Sequence, residues 1–214
     1  MSNAIAVKPF PAREFRLNTS PNLDAAERPE TVLQKIKADL AHYAQSESRP
    51  MTLMFVLRMI LLTPGFQFVL ERRLQEIVVK VPLIGRLLRR ILWWATCLIH
   101  GSEIAIAAEV AGGLYIPHPY GIVVGAAKIG RNVSLFQNVT IGRKAVEFPG
   151  DPVIGAGAAI NAGAKVIGSI HIGEGAVIGA NAVVVKDVPA YAVAVGVPAK
   201  IVSRKSETRN QPAS

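Results

Sequence analysis

From Ile154 onward a branched aliphatic residue returns every six positions, at Ile154, Ile160, Val166, Ile172, Ile178 and Val184, without a slip. Four residues after each stands a small or aliphatic side chain: Ala158, Ala164, Ile170, Ala176, Ala182 and Val188. Gly155, Gly173 and Gly179 directly follow a branched residue. A period of six fits neither the 3.6 of a helix nor the 2 of a strand. It fits one short strand plus one tight turn, so three units close a triangular coil of 18 residues. The branched residue then points inward and the small one sits near a corner, which is a parallel β-helix.

The same rhythm appears upstream in two phases, Ile104, Val110, Ile116 and Ile122, then Val123, Ile129, Leu135 and Ile141. The one-residue slip between Ile122 and Val123 has no explanation in the pattern itself. Ile141 and Ile154 lie 13 residues apart, and the stretch from Arg143 to Asp151 reads as a loop projecting from the prism. About 100 residues at 18 per coil give five to six coils. A prism has flat faces and one narrow core, so burying faces between subunits is the natural way to gain stability. A homotrimer, or a dimer of trimers, is expected.

Ahead of the repeat the pattern is helical. Glu30 to Gln45 places Leu33, Ile36, Leu40 and Tyr43 on one face. Further helices are expected over Met51 to Leu62, over Phe66 to Val79 after the Thr63-Pro64-Gly65 break, and over Leu83 to Ile99 after Pro82. The organisation predicted is a flexible segment over 1–25, a helical domain over 26–100, a β-helix over 101–202 and a flexible tail over 203–214. The fold class is mainly β, with an N-terminal α-helical segment.

Of the net charge of +9, most comes from residues 49–100, with eight cations against two acids, and from the tail, with four against one. Arg72, Arg73, Arg86, Arg89 and Arg90 flank apolar stretches, with Trp93 and Trp94 nearby. Two readings stay open: peripheral contact with an anionic membrane or an acidic partner, or a solvated face whose apolar side packs inside an oligomer. The apolar stretches Met51 to Leu62 and Ile91 to Ile99 are too short to span a bilayer. Without interleaved aromatics or a nucleic-acid motif, binding to nucleic acid is not expected. Cys97 is the single cysteine, and Met1 to Ser20 lacks a basic stretch followed by an apolar core. Both point to a cytoplasmic protein.

Gly101-Ser102-Glu103-Ile104, Pro117-His118-Pro119-Tyr120-Gly121-Ile122-Val123-Val124-Gly125, Gln137-Asn138-Val139-Thr140-Ile141-Gly142 and Gly196-Val197-Pro198-Ala199-Lys200-Ile201-Val202 resemble the serine acetyltransferase family of hexapeptide acyltransferases. The likeness runs from about residue 64 to 202. It implies a left-handed parallel β-helix, acetyl-CoA as the donor, a trimeric building block, and an active site between neighbouring subunits. The activity implied is O-acetylation of a hydroxyl, with L-serine giving O-acetylserine in cysteine biosynthesis.

Attack of a hydroxyl on a thioester needs a general base. His118, between two prolines at a coil corner, matches the family's catalytic histidine. His42 and His100 read as surface or packing residues, and His171 as pointing outward. A carboxylate that holds the second imidazole nitrogen fixes the tautomer. Glu103 stands 15 residues earlier, where the family usually has aspartate; an exposed rim glutamate is the alternative. For the donor, Ala162-Gly163 and Ala180-Asn181 lie 18 residues apart and leave a groove for a pantetheine arm. Ala162, Gly163, Ala180, Gly142 and Lys200 match family positions that line coenzyme A, with Lys200 or Arg204 meeting phosphates. Small residues at these places also simply permit tight turns.

At the acceptor site the chain departs from the family. Pro117 stands where an aspartate usually precedes the base, and Gly150-Asp151 replace an Arg-His pair. Loss of that arginine weakens the grip on an amino acid. Asp151 can instead accept a hydrogen bond from a sugar hydroxyl, so O-acetylation of a glycan in polysaccharide biosynthesis is the rival expectation. Serine acetyltransferases that dock into the next enzyme of cysteine synthesis end in isoleucine; here the last residue is Ser214, so no such complex is expected. A metal-dependent hydratase needs three histidines, and only His118 and His171 lie in the repeat; no metal is expected.

Overall fold

The computed structural model describes residues 30–145 and 150–204. The segment 1–25 and the tail beyond Arg204 lie outside the described residues. Four helices come first, α1 (Val32–Ser46), α2 (Leu53–Leu62), α3 (Pro64–Val78) and α4 (Gly85–His100). Their ends are written in the sequence. Thr31 and Gln34 form a capping box on α1, Thr52 accepts from Phe55 N at the start of α2, and Pro64 opens α3. Gly101, in the left-handed conformation at φ 56°, ends α4.

The prism follows. Its strands are β1 (Glu103–Ile104), β2 (Glu109–Val110), β3 (Val123–Val124), β4 (Lys128–Ile129), β5 (Ser134–Leu135), β6 (Thr140–Gly142), β7 (Val153–Ile154), β8 (Ala159–Ile160), β9 (Lys165–Ile167), β10 (His171–Ile172), β11 (Val177–Ile178), β12 (Val183–Val184), β13 (Ala192–Val195) and β14 (Lys200–Arg204). They form three faces: β1-β3-β6-β9-β12, then β2-β4-β7-β10, then β5-β8-β11-β13, on which β14 pairs antiparallel. We call these the first, second and third faces. All other pairings are parallel. β14 continues two residues past the expected end of the repeat at 202.

The upstream phase shift now has a cause. The inward residue of β3 is Val124, 1% exposed, whereas Val123 points outward at 43%. Ile122 is buried too, but as the corner residue two places before the inward one, the role Ala164 and Ala182 play later. From Ile116 to Val124 the step is eight residues, because the corner Pro117–Gly121 is enlarged; from Val124 to Ile129 it is five. Ile141 and Ile154 sit on successive faces. Their separation of 13 is therefore one repeat of six plus an insertion of seven, and five coils result.

The first coil leaves a row of unpaired backbone groups, which in a sheet edge must be covered. The helices cover it. Trp93 Nε1 donates to Ile104 O, Arg89 to Ile106 O and Arg72 to Ala108 O; Arg73 donates to both Val110 O and Ala111 O. Glu30 accepts from Gly112 N, and Asp39 from Leu114 N. Arg73 and Asp39, both fully buried, also form a two-pronged ion pair at 2.9 and 3.1 Å. Burial lowers the Arg72 pKa to about 10, while Asp39 keeps that of Arg73 raised against the same burial.

This corrects the expectation that Arg72, Arg73 and Arg89 form part of a cationic outer surface: the first two are buried and all three hold the first coil. It also turns α1. Leu33 is 62% exposed, and the buried side is Asp39, Leu40, His42 and Tyr43, because the prism edge demands polar partners. His42 and His100 are buried, which fits the packing side of the two readings given to them. Among the described residues no single helix is long and apolar enough to cross a membrane.

Candidate active site

The turns joining the third face to the first stack into one edge of the prism. A hydrogen-bond ladder climbs it: Gly121 N to Gly101 O, Asn138 N to Tyr120 O, Gly163 N to Gln137 O and Asn181 N to Ala162 O. Gly121, Asn138, Gly163 and Asn181 are all left-handed, at φ 67°, 59°, 75° and 57°. Glycine and asparagine alternate for a steric reason. A Cβ on Gly121 would lie 2.2 Å from Asn138 Oδ1, and one on Gly163 would lie 2.0 Å from Asn181 Oδ1.

His118 sits on the lowest of these turns and is exposed. Ala162 and Ala180 stand on the same edge, so the expected base and the expected donor groove share one line. With about 4.8 Å per rung, the turn of His118 and that of Ala180 are roughly 14 Å apart along it. The turn Gly196–Ala199 closes the top, with Val183 N donating to Gly196 O and Ala199 N donating to Val183 O. Lys200 follows it, exposed, lining a cleft of about 390 Å³.

The corner bearing His118 is held from behind. The buried Ser102 hydroxyl donates to Pro119 O at 2.9 Å and accepts from Ile122 N at 3.0 Å. Gly65, at the start of α3, approaches so closely that a Cβ there would lie 1.8 Å from Ile116 O and 3.1 Å from Pro117 O. Sequence reasoning missed both residues. Ser102 stood in a quoted motif without a role, and Gly65 read only as a break. Glu103 lies on β1, one rung below the His118 turn and half-buried. No hydrogen bond or ion pair joins its side chain to His118 within the chain, so the expected dyad is not assembled here.

Gly142 and Asp151 lie on the opposite edge of the first face, where the inserted loop leaves it. Arg143 Nε and Nη2 grip Asp151 at 2.5 and 3.1 Å, closing the neck of that loop. The contact raises the Arg143 pKa and lowers that of Asp151, and both groups remain partly open to solvent. Arg143 is a further charge that the sequence reading passed over. Gly142 differs from Gly163. It is not left-handed, and a Cβ added to it would meet nothing within 4 Å. Along one chain, the loop and His118 are separated by the width of the face, roughly 13 Å for the four residues from Gly121 to Gly125. Pro117 brings no charge to the corner.

His171 is exposed, its backbone N–H donating to Asp187 Oδ1. Among the described residues no three His, Cys, Asp or Glu side chains converge as a metal site.

The "Bacterial transferase hexapeptide (six repeats)" family model matches residues 151–186. A serine acetyltransferase of Bacillus pumilus is 40% identical over 126 residues, which cover 58% of each protein. The chain thus spans less than three fifths of that curated relative's length. The crystal structure of Neisseria gonorrhoeae serine acetyltransferase superposes with a TM-score of 0.72 at 34% identity, covering 83% of this chain and 68% of that one. That of the Brucella abortus serine acetyltransferase in complex with coenzyme A superposes with a TM-score of 0.71 at 30% identity, covering 81% and 68%. Helical cap, five-coil prism and corner histidine are thus found together with sequence likeness across most of the described chain, and the chain belongs to the serine acetyltransferase-like hexapeptide-repeat acyltransferases.

Proposed function

We propose that the protein is an acetyl-CoA-dependent O-acetyltransferase that acetylates L-serine. The observation that carries this is the single edge of the prism on which His118, Ala162-Gly163 and Ala180 are stacked. Acetyl-CoA supplies an activated acetyl group as a thioester. Small side chains along the edge leave room for its pantetheine arm, and Lys200 above them offers a cation to its phosphates. Gly142 fits the same reading, since no described residue of its own chain lies within 4 Å of the place a side chain would take.

His118 accepts the proton of the acceptor hydroxyl as the oxygen attacks the thioester carbonyl. The imidazolium then returns that proton to the departing thiolate. Glu103, a rung below, is the carboxylate to which this reading gives the task of orienting the imidazole and stabilising its charged form, through a contact that the single chain does not make.

For the acceptor, Arg143 and Asp151 together are complementary to a zwitterion: the guanidinium to a carboxylate, the carboxylate to an ammonium. Water screens an exposed ion pair, so exchanging these partners for those of an amino acid costs little. Both charges stand across the first face from their own chain's His118. The reading therefore has one protomer's loop facing the neighbour's His118, in a trimer, with the enzyme in the cytoplasm.

The second reading is acetylation of a sugar hydroxyl. It is favoured by Pro117, which leaves the corner without a carboxylate. Thiol release measured with L-serine beside nucleotide-sugar acceptors decides between them. His118→Ala should lower kcat by about 10²–10⁴ in either case; full transfer by a correctly assembled variant would remove His118 from the role.

A further inference from the structure

We infer that the outer face of α4 docks the protein on an anionic lipid surface. This helix has two unlike sides. Its inner side is tied to the rest of the molecule by Arg89 and Trp93, which hold carbonyls of the first coil, by Thr96, which meets Gln75, and by His100, 3.3 Å from Glu71. On the outer side Ile84, Leu87, Ile91, Trp94 and Leu98 recur at steps of three and four, one continuous stripe, and each is more than half exposed. α2, which like α4 packs on α3, also exposes Leu53, Met54 and Leu61.

The exposed charges on α4 are of one sign, with half-buried Glu103 of β1 near Cys97 of the same helix. Between residues 49 and 100 the acids are Glu71 and Glu76: Glu76 pairs with Lys35 and Arg73, and Glu71 lies 3.3 Å from His100 without a hydrogen bond, on the inner side of α4. Among the described residues, exposed Lys80, Arg86 and Arg90 form no ion pair with a carboxylate. The Arg90 guanidinium lies 4.7 Å over the Trp93 ring, at the flank of the stripe. A second copy laid on this face would bring like charges together, whereas anionic headgroups complement them.

The geometry suits lying on a surface and not crossing it. α2 and α3 meet at 86°, and Phe66, Phe68, Val69, Arg72 and Arg73 of α3 are buried against the rest of the protein. Apolar side chains of α4 then enter the headgroup–acyl boundary, Trp94 sits at that level, and the arginines reach phosphates. This inference stands apart from the acetyl-transfer reading, since it uses none of the same residues.

The test is co-sedimentation of the full chain with vesicles of phosphatidylglycerol and phosphatidylcholine, beside vesicles of phosphatidylcholine alone. Binding to the anionic vesicles is expected, with release at about 0.5 M NaCl. Arg86→Gln and Arg90→Gln should each raise the half-saturating lipid concentration about fivefold. Leu87→Asn/Ile91→Asn should abolish binding while circular dichroism is unchanged, and the lipid-induced blue shift of tryptophan emission should vanish in Trp94→Phe. No binding to anionic vesicles, or equal binding to neutral ones, overturns the inference. So does a Leu87→Asn/Ile91→Asn variant that merely falls to a smaller oligomer, which would assign the face to a second copy.

Discussion

Tyr43 of α1 binds both backbone groups of Ile116, its hydroxyl donating to the carbonyl at 2.7 Å and accepting from the amide at 3.1 Å. One hydroxyl thereby closes the open edge of the first coil directly before the enlarged corner that carries His118. Both residues are essentially inaccessible to water. Tyr43→Phe keeps the ring, with its edge-on contact to Phe66, and strands an N–H and a C=O. A buried unsatisfied group costs about 1–3 kcal/mol, so a loss of that order is expected in urea unfolding. An unchanged midpoint with an unchanged slope would mean that water reaches this edge.

Beside it, His42 Nδ1 lies 2.6 Å from Gly113 O. A carbonyl cannot donate, so Nδ1 carries the proton. Burial lowers the His42 pKa from 6.5, outweighing the Gly113 carbonyl and Asp39, which raise it. The unfolded chain therefore binds a proton more readily than the folded one. The contribution is complete above pH 6.5 and is lost as pH falls from there through the lowered folded value. Thermal midpoints should decline on acidification through this window, and less steeply in His42→Gln. Identical slopes for the two proteins would assign the decline to other groups.

What could be read from the sequence follows the range of the interactions. Ile154 to Val184 kept register because each inward residue is fixed by its own turn, six residues away. Val123 was misassigned because a corner enlarged by two residues places two apolar side chains, Ile122 and Val124, inside on either side of it. Arg72 and Arg73 looked like surface cations because their partners, Ala108 O and Asp39, are more than thirty residues away. A backbone carbonyl in need of a donor leaves no trace in a sequence. The ladder from Gly101 to Asn181 was half legible: its 18-residue spacing at Ala162 and Ala180 was visible, but the Gly–Asn alternation that packs it is a contact between coils. Arg143 was passed over because its partner lies across a loop.

Ser102 ties Pro119 O and Ile122 N across the corner that carries His118, which on the proposed reading makes it a positioning residue. Ser102→Ala removes both bonds without altering the apolar core. A displacement near 1 Å at a reacting group costs about 10²-fold in rate, so kcat should fall by about 10–100-fold with the KM for acetyl-CoA little changed. Ser102→Thr, which retains the hydroxyl, should recover most of the loss. A fall in stability matched by an equal fall in active protein, with kcat per folded site intact, would reduce Ser102 to a structural role.

Gly142 supplies the sharpest separation between chain and ligand. Two constraints require glycine at other positions: a left-handed backbone under a close neighbour, as at Gly163 beneath Asn181, and close approach alone, as at Gly65 of α3 against Ile116. Neither constraint applies at Gly142 among the described residues: its backbone is not left-handed, and a Cβ there would meet nothing within 4 Å. Gly142→Ala should leave unfolding unchanged or raise stability by about 0.4–1 kcal/mol through the unfolded chain. Gly142→Val should do no harm to the monomer fold, yet raise the KM for acetyl-CoA about tenfold if the donor passes over this residue, the scale of one lost close contact in a fitted pocket. A variant that binds acetyl-CoA normally but sediments as a smaller species would show that a neighbouring protomer, and not the donor, occupies that space.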